Sequence, residues 1–305
     1  MSTAPLLEVR NLTVALPLGR QQREIIRDIS FSILPGEAYG LVGESGSGKS
    51  VTSLAVIGLL KKPLAATAGN ILFKGTDLRT LPARAMRQLR GDRVTMIFQE
   101  PMTALNPLST VGRQIAEMFV LHQGKAWREA NALAIEALAA VRVPAPDQRV
   151  HAYPHQMSGG MRQRVMIAIA LACNPDLLIA DEPTTALDVT VQAEVLKLIQ
   201  ELCTARGTAV LLISHDLGVI ANMCQRVGVM YDGKIVEERD TYELFADPWH
   251  DYSRGLLGAL PRLGSRQLRG RGRLVDIDAV IADRSRLTEN LFFEPRKQRP
   301  GADGA

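Results

Sequence analysis

The stretch Gly43–Ser50, GESGSGKS, decides the fold of this chain. It matches the pattern GxxxxGK[ST] and lies between a short apolar run, Ala38–Val42, and a segment with helical spacing that begins at Lys49. Glycines let the backbone bend so that several amides point at one phosphate, and the following helix N-terminus adds partial positive charge. A plain glycine turn before a helix is the alternative, but the complete motif in this setting favours a phosphate site.

The residues of this loop have distinct expected roles. Lys49 can reach the β- and γ-phosphates of ATP, and the hydroxyl of Ser50 can ligate Mg²⁺. The loop is therefore predicted to bind ATP through Gly43, Glu44, Ser45, Gly46, Ser47, Gly48, Lys49 and Ser50.

A second element, LLIADE at Leu177–Glu182, ends in two carboxylates. Its four apolar residues are typical of a strand buried on both faces of a parallel sheet. At the end of such a strand Asp181 can hold Mg²⁺ through water, and Glu182 can accept a proton from an attacking water. Alone, this run indicates only a strand with a polar end. Together with the phosphate loop, it predicts a catalytic site for ATP hydrolysis.

The pattern outward from these motifs predicts an α/β chain. Residues 7–42 have strand character, and Ile29–Ile33 alternates as a half-buried antiparallel strand does. Further strands are predicted at Arg93–Phe98, Leu177–Ala180 and Ala209–Ile213, with a hairpin at Val227–Glu238 around Asp232-Gly233. Residues 100–172 contain helical patterns without a convincing strand, which predicts a helical insertion.

Composition narrows the class of protein. Hydrophobic residues make up 46% and charged residues 22% of the 305 positions, as in ordinary globular proteins. The net charge of +4 is mild and both signs interleave outside Arg262–Arg273, so a solvated surface is favoured over nucleic-acid binding. The three cysteines have no CxxC spacing, which suits a reducing cytosol. No run approaches the roughly 20 apolar residues of a membrane span and no signal peptide is recognised, so a membrane role is expected through partners.

A third motif, MSGGM at Met157–Met161, lies between the two halves of the site. Ser158 and the amides of Gly159 and Gly160 at a helix N-terminus suit another anion site. The chain thus carries, in order, the phosphate loop, Gln99, Ser158-Gly159-Gly160, Asp181-Glu182, Ala186-Leu187-Asp188 and His215. This order resembles the ABC ATPase family over about residues 5–245.

The resemblance implies roles that the residues alone do not show. In the family, the signature segment Ser158–Gly160 contacts the γ-phosphate held by the opposite subunit, so that two head-to-tail copies sandwich two ATPs. Asp188 organises that dimer contact. Gln99 contacts Mg²⁺ or the attacking water and reports the nucleotide state to the helical insertion, and His215 bridges the γ-phosphate and Glu182.

Four segments resemble more closely the ATP-binding subunits of dipeptide and oligopeptide importers: Phe98–Pro107, His151–Leu171, Ala180–Ala193 and His250–Leu263. This branch also includes nickel and glutathione uptake systems. Peptides are the favoured solute, and nickel, glutathione, opines and short sugars remain open. The resemblance implies three kinds of partner: a second, related ATPase, two membrane permeases and an extracytoplasmic solute-binding protein. Whether the second ATPase is another copy of this chain or a paralogue stays open. It places the chain peripherally at the cytoplasmic face of the inner membrane, and no nucleic-acid partner is expected.

The expected fold is α/β, with a P-loop NTPase (RecA-like) core, an antiparallel β subdomain, an inserted α-helical signature subdomain and a short C-terminal extension. Residues 1–247 are assigned to the ABC ATPase domain, with the helical subdomain at about 100–172. Residues 248–305 are assigned to an extension of the oligopeptide-importer type. Within it, Leu274–Ile281 alternates like a short strand.

Three features depart from the family pattern. Met161 stands where many members have glutamine. No aromatic residue that could stack on adenine occurs in Val14–Arg23, where Leu16 or Leu18 could substitute. No cysteine follows Cys224, so no iron–sulfur cluster is expected in the tail, and truncation after Leu263 is expected to leave ATP binding intact.

The alternative class is a non-transport ABC ATPase acting on DNA or ribosomes. Such proteins either split the two ATP motifs with a long coiled coil or carry two ATPase cassettes. Here only 109 positions separate Lys49 from Ser158 and the chain has one cassette. This spacing favours transport.

Overall fold

A computed structural model describes residues 4–19, 21–99, 104–184 and 188–258. Its strands are β1 (Leu7–Leu18), β2 (Gln21–Ile33), β3 (Ala38–Val42), β4 (Ala65–Phe73), β5 (Thr76–Asp77), β6 (Val94–Ile97), β7 (Leu177–Asp181), β8 (Ala209–Ile213), β9 (Arg226–Tyr231) and β10 (Lys234–Asp240). Its helices are α1 (Lys49–Val56), α2 (Ala83–Leu89), α3 (Val111–Gln123), α4 (Trp127–Ala140), α5 (Pro146–Arg149), α6 (Gly159–Leu171), α7 (Val189–Arg206), α8 (Leu217–Met223), α9 (Thr241–Ala246) and α10 (Asp251–Gly258).

The strands form two sheets. One is antiparallel, in the order β2-β1-β4-β5, and the other runs β10-β9-β3-β8-β7-β6. In the second sheet β3, β6, β7, β8 and β9 pair in parallel, and β10 adds an antiparallel edge. Because parallel strands end at the same edge of a sheet, the loops that follow β3, β6, β7 and β8 meet there.

Strand β7 shows why the second sheet lies at the centre of the fold. Leu177 and Ile179 join a hydrophobic cluster with the antiparallel sheet, whereas Leu178 and Ala180 join a cluster with the helical insertion. All four side chains are fully buried. The period-two alternation between the two clusters is that of a strand covered on both faces, as its continuous apolar run predicts.

The helical insertion is built from α3, α4 and α6. Helix α3 begins at the N-cap Thr110, whose hydroxyl accepts the Arg113 N–H, and ends at Gly124 with φ of 66°. Helix α4 presents Ala130, Ala134 and Leu138 to the core at helical spacing. Among the residues described between 104 and 172 there is no strand, so the helical insertion is observed where the pattern predicted it.

Two other sequence expectations meet the structure in different ways. The hairpin around Asp232-Gly233 is present as β9 and β10, whereas β4 was not predicted. Ala186-Leu187 and the tail beyond residue 258, including Arg262–Arg273 and Leu274–Ile281, lie outside the described residues. No helix within the described ranges has the length and apolarity of a membrane-spanning segment.

Candidate functional site

The loop Gly43–Ser50 joins β3 to α1 at the edge where the parallel strands end. Gly43 and Gly48 have φ of 153° and 109°, which L side chains rarely adopt. A Cβ at Gly43 would lie 2.1 Å from the Met230 carbonyl oxygen, and one at Gly48 would lie 2.6 Å from Ile26 Cδ1. Gly43 is therefore required by conformation and by space, and Gly48 is favoured by its conformation, which gives the motif glycines a structural reason.

Lys49 lies inside the loop, with 5% of the residue exposed. Its Nζ donates to the carbonyl oxygens of Gly43 at 2.7 Å and Glu44 at 2.8 Å. Burial lowers the pKa of Lys49, and the nearby carboxylates of Glu182 and Asp181 act in the opposite direction. The ammonium is thus held by its own loop and faces the two acids that end β7.

Asp181 connects the loop to β7. Its Oδ1 accepts from the Ser50 hydroxyl at 3.1 Å, and its Oδ2 accepts from the Ser53 hydroxyl at 3.4 Å. Burial raises the pKa of Asp181, and the bonds from Ser50 and Ser53 oppose that change. A hydroxyl and a carboxylate side by side are oxygen ligands of the kind that Mg²⁺ prefers, so the residues present fit the metal.

Glu182 is approached from two sides. Gln99 Nε2 donates to Glu182 Oε2 at 3.0 Å, and His215 Nδ1 lies 3.2 Å from Glu182 Oε1. Gln99, Glu182 and His215 come from the loops after β6, β7 and β8. The structure therefore brings together three side chains that are separated widely in sequence.

The backbone of Glu182 is itself unusual. Its φ is 46°, in the left-handed region, and its N–H donates to the Ile213 carbonyl at 2.9 Å. A non-glycine residue in a sparsely populated conformation costs about 1–3 kcal/mol and is found disproportionately at functional sites. The chain therefore bends at Glu182, directly after β7 ends at Asp181.

The signature segment lies at the start of α6. The hydroxyl of Ser158 caps this helix by accepting the Met161 N–H at 3.3 Å. Asp188 likewise caps α7 by accepting the Val191 N–H at 3.0 Å. A Cβ at Gly160 would lie 3.0 Å from Val191 Cγ1, so the two helix starts are neighbours. Both capping residues are exposed, and in the described ranges their side chains bond to the backbone of their own helices.

Sequence reasoning missed two residues that contact these elements. Ser53 follows Ser50 by three positions, so the helical spacing from Lys49 contained the signal that both hydroxyls share one face. Tyr252 accepts the Glu44 N–H with its hydroxyl at 3.0 Å. No local pattern links Tyr252 to Glu44, because the two residues are 208 positions apart.

Comparison with known proteins identifies the family of this chain. The family model described as "ABC transporter" matches residues 26–185. A probable peptide ABC transporter ATP-binding protein of Sinorhizobium fredii is 50% identical over 277 residues, which cover 90% of this chain and 82% of the relative. A peptidoglycan transport ATP-binding protein of Agrobacterium fabrum is 53% identical over 262 residues, covering 86% of this chain and 48% of that longer protein.

Solved structures agree. A dimeric ATP-binding cassette in a post-hydrolysis state, bound to ADP and Pi, has a TM-score of 0.69 and 27% identity, covering 77% of this chain and 98% of its own. This chain contains the loop Gly43–Ser50, a buried Asp181 beside Ser50, and Glu182 held between Gln99 and His215. The chain therefore belongs to the ABC transporter family, as an ATP-binding protein that hydrolyses ATP.

Proposed function

We propose that this chain is the ATP-hydrolysing subunit of an importer of di- and oligopeptides. The observation that carries the proposal is the meeting of Lys49, Asp181 and Glu182 at one sheet edge, in a chain whose relatives include a named peptide transporter subunit. We assign it a second, related ATPase, two membrane permeases and an extracytoplasmic solute-binding protein as partners. Its place is then the cytoplasmic face of the inner membrane.

We assign nucleotide binding to the loop Gly43–Ser50. The amides of the residues from Gly43 to Ser50 and the ammonium of Lys49 hold the β- and γ-phosphates. The hydrogen bonds from Lys49 Nζ to the carbonyl oxygens of Gly43 and Glu44 hold the ammonium within the loop, so little rearrangement precedes binding. Preorganised charge of this kind stabilises the phosphates without a further ordering cost.

Ser50, Asp181 and Gln99 are the residues that would hold Mg²⁺. Ser50 and Asp181 already lie within hydrogen-bonding distance of each other. Gln99 donates with Nε2 to Glu182, which leaves its amide oxygen for the metal or the attacking water. When bound, Mg²⁺ neutralises charge on the β- and γ-phosphate oxygens.

Hydrolysis requires a base, and we assign this role to Glu182. Its carboxylate takes the proton of a water whose oxygen attacks the γ-phosphorus, while the bond from that phosphorus to the β–γ bridging oxygen breaks. The products are ADP and inorganic phosphate. Gln99 and His215 fix the two carboxylate oxygens, so the base is oriented before the water arrives.

The exposed signature segment completes the site of a partner chain. Ser158, Gly159 and Gly160 would contact the γ-phosphate held by the opposite ATPase, and Asp188 would support that contact. The exposure of Ser158 and Asp188 at two adjacent helix starts supports a role in an interface. ATP then closes the pair, hydrolysis reopens it, and the insertion around Gln99–Leu121 passes the movement to the permeases.

A second candidate cargo has its own observation. The Agrobacterium fabrum relative is named for peptidoglycan transport, so peptide-bearing cell-wall fragments are the runner-up solute. Free peptides are favoured because the relative that this chain covers more fully carries that name.

The decisive experiment isolates the complex from native membranes through a tag on this chain. Mass spectrometry is expected to identify two permeases and a related ATPase. In lipid nanodiscs with the solute-binding protein, short peptides are expected to stimulate ATP hydrolysis more than peptidoglycan fragments or Ni²⁺. A complex carrying Lys49→Ala is the control, because it should assemble but not hydrolyse ATP. Recovery of DNA-repair or ribosomal proteins instead of permeases would contradict the proposal.

A further inference from the structure

One contact links the C-terminal segment to the phosphate loop. The fully buried Tyr252, near the start of α10, accepts the Glu44 N–H with its hydroxyl at 3.0 Å. The carbonyl of the same peptide unit belongs to Gly43 and accepts from Lys49 Nζ at 2.7 Å. One peptide plane is therefore bound at both ends, by Tyr252 on one side and by the phosphate-binding lysine on the other.

The position of Tyr252 is itself fixed by hydrogen bonds. Its N–H donates to His250 Nδ1 at 3.1 Å, and the buried Glu237 accepts the N–H groups of Trp249 at 2.8 Å and His250 at 3.0 Å. Burial lowers the pKa of His250, which favours the neutral imidazole that accepts this bond, while Glu237 and Asp251 oppose the change. The segment is thus tied to β10.

The ring and hydroxyl of Tyr252 have separate surroundings. The ring packs against Tyr231 of β9 with centroids 4.5 Å apart, an interaction that phenylalanine could also make. Burial raises the pKa of Tyr252 to about 12, so its hydroxyl is neutral and can accept the Glu44 N–H. The packing of the ring does not require the hydroxyl, whereas the hydrogen bond to the loop does.

We infer that Tyr252 is a positioning residue for the phosphate loop and tunes the affinity for nucleotide. Without the hydroxyl, the Glu44 N–H loses its acceptor and the Gly43–Glu44 peptide can turn. Since Gly43 O is one of the acceptors of Lys49, that turn displaces the ammonium from the phosphates. A segment outside the ATPase motifs thereby sets the geometry of the loop. The inference rests on the proposed role of Gly43–Ser50 in binding ATP.

The test compares Tyr252→Phe with the unchanged full-length chain. We expect the dissociation constant of a fluorescent ATP analogue to rise about 3- to 10-fold, the effect of one hydrogen bond. In the assembled complex the KM for ATP should rise equally, while kcat changes less than about twofold because Glu182 is untouched. Deuterium exchange at the Glu44 amide should accelerate. Tyr242→Phe is the matched control, since it removes an exposed tyrosine hydroxyl.

Each outcome of this test either supports or overturns the role inferred for Tyr252. An unchanged dissociation constant and KM for Tyr252→Phe would overturn the inference, and so would a lower melting temperature with unchanged KM, which would indicate packing alone. Lys49→Ala in the same titration distinguishes failure of the role inferred for Tyr252 from failure of the proposed role of the loop. If Lys49→Ala abolishes binding while Tyr252→Phe binds normally, only the role of Tyr252 fails. If Lys49→Ala also binds normally, the proposed loop function fails with it.

Discussion

The phosphate-loop half and the signature half of the proposed site are both helix N-termini rich in glycine and serine, yet they are built differently. Lys49 and Asp181 are each 5% exposed and belong to a set of side chains converging from the ends of parallel strands. Ser158 and Asp188 are exposed and cap separate helices. The first half is organised within one chain, whereas the second is suited to contact with another.

The physical reason lies in what surrounds each helix start. Strands β3, β8 and β7 pair in parallel, so the acids Asp181 and Glu182, distant in sequence, lie near the ammonium of Lys49. Charges in such a low-dielectric region interact more strongly than at the surface. Helix α6 begins at the surface of the helical insertion, where a cap contributes about 0.5–2 kcal/mol to stability. Three predictions test this difference.

The largest effect is expected from Glu182→Gln. The variant should bind ATP normally but hydrolyse it about 10²–10⁴-fold more slowly, because it lacks a general base. The ATP-bound pair should then accumulate, as measured by single-turnover kinetics and light scattering. Glu136→Gln, an exposed change on α4, is the control. Turnover near that of the unchanged protein would assign the catalytic role to another residue. The phosphate-loop half would then no longer differ from the signature half by containing the base.

An intermediate effect is expected from Ser158→Ala. In the isolated chain nucleotide affinity should be unchanged, whereas hydrolysis by the ATPase pair should fall about 10- to 100-fold through loss of a bond to a charged phosphate. Thr110→Ala is a matched control, since Thr110 also caps a helix of the insertion with a 3.3 Å bond. Measured on the pair without permeases, Thr110→Ala should retain activity. Equal losses in both variants would indicate a capping effect alone.

The smallest effect concerns the base of the nucleotide. In β1 Leu18 is 55% exposed and Leu16 is partly exposed, and neither offers an aromatic face to adenine. Stacking worth about 1–3 kcal/mol per base is therefore absent from this segment, and affinity depends on the phosphates. We expect ATP and GTP to compete almost equally for the chain in a displacement titration. A strong ATP preference would require an aromatic residue from another segment or chain.

The family and the ATPase activity were predicted from motifs and are confirmed. The strands β3, β7 and β8 were also predicted, because continuous apolar runs of this length indicate strands covered on both faces. Strand β4 was missed, since AATAGNILF begins with exposed small residues and contains a glycine. Its pairing with β1 depends on tertiary contacts that its own composition does not encode. The individual roles of the site residues remain predictions.

By itself, the sequence determined the phosphate loop, the order of the motifs and the family, because those depend on residue types at short, fixed spacing. Tertiary structure alone decided that Gln99 and His215 meet at Glu182, that Glu182 has a left-handed backbone, and that Tyr252 contacts the loop. These contacts join positions up to 208 residues apart. Strand order and helix docking set such distances, and no local pattern of residues carries that information.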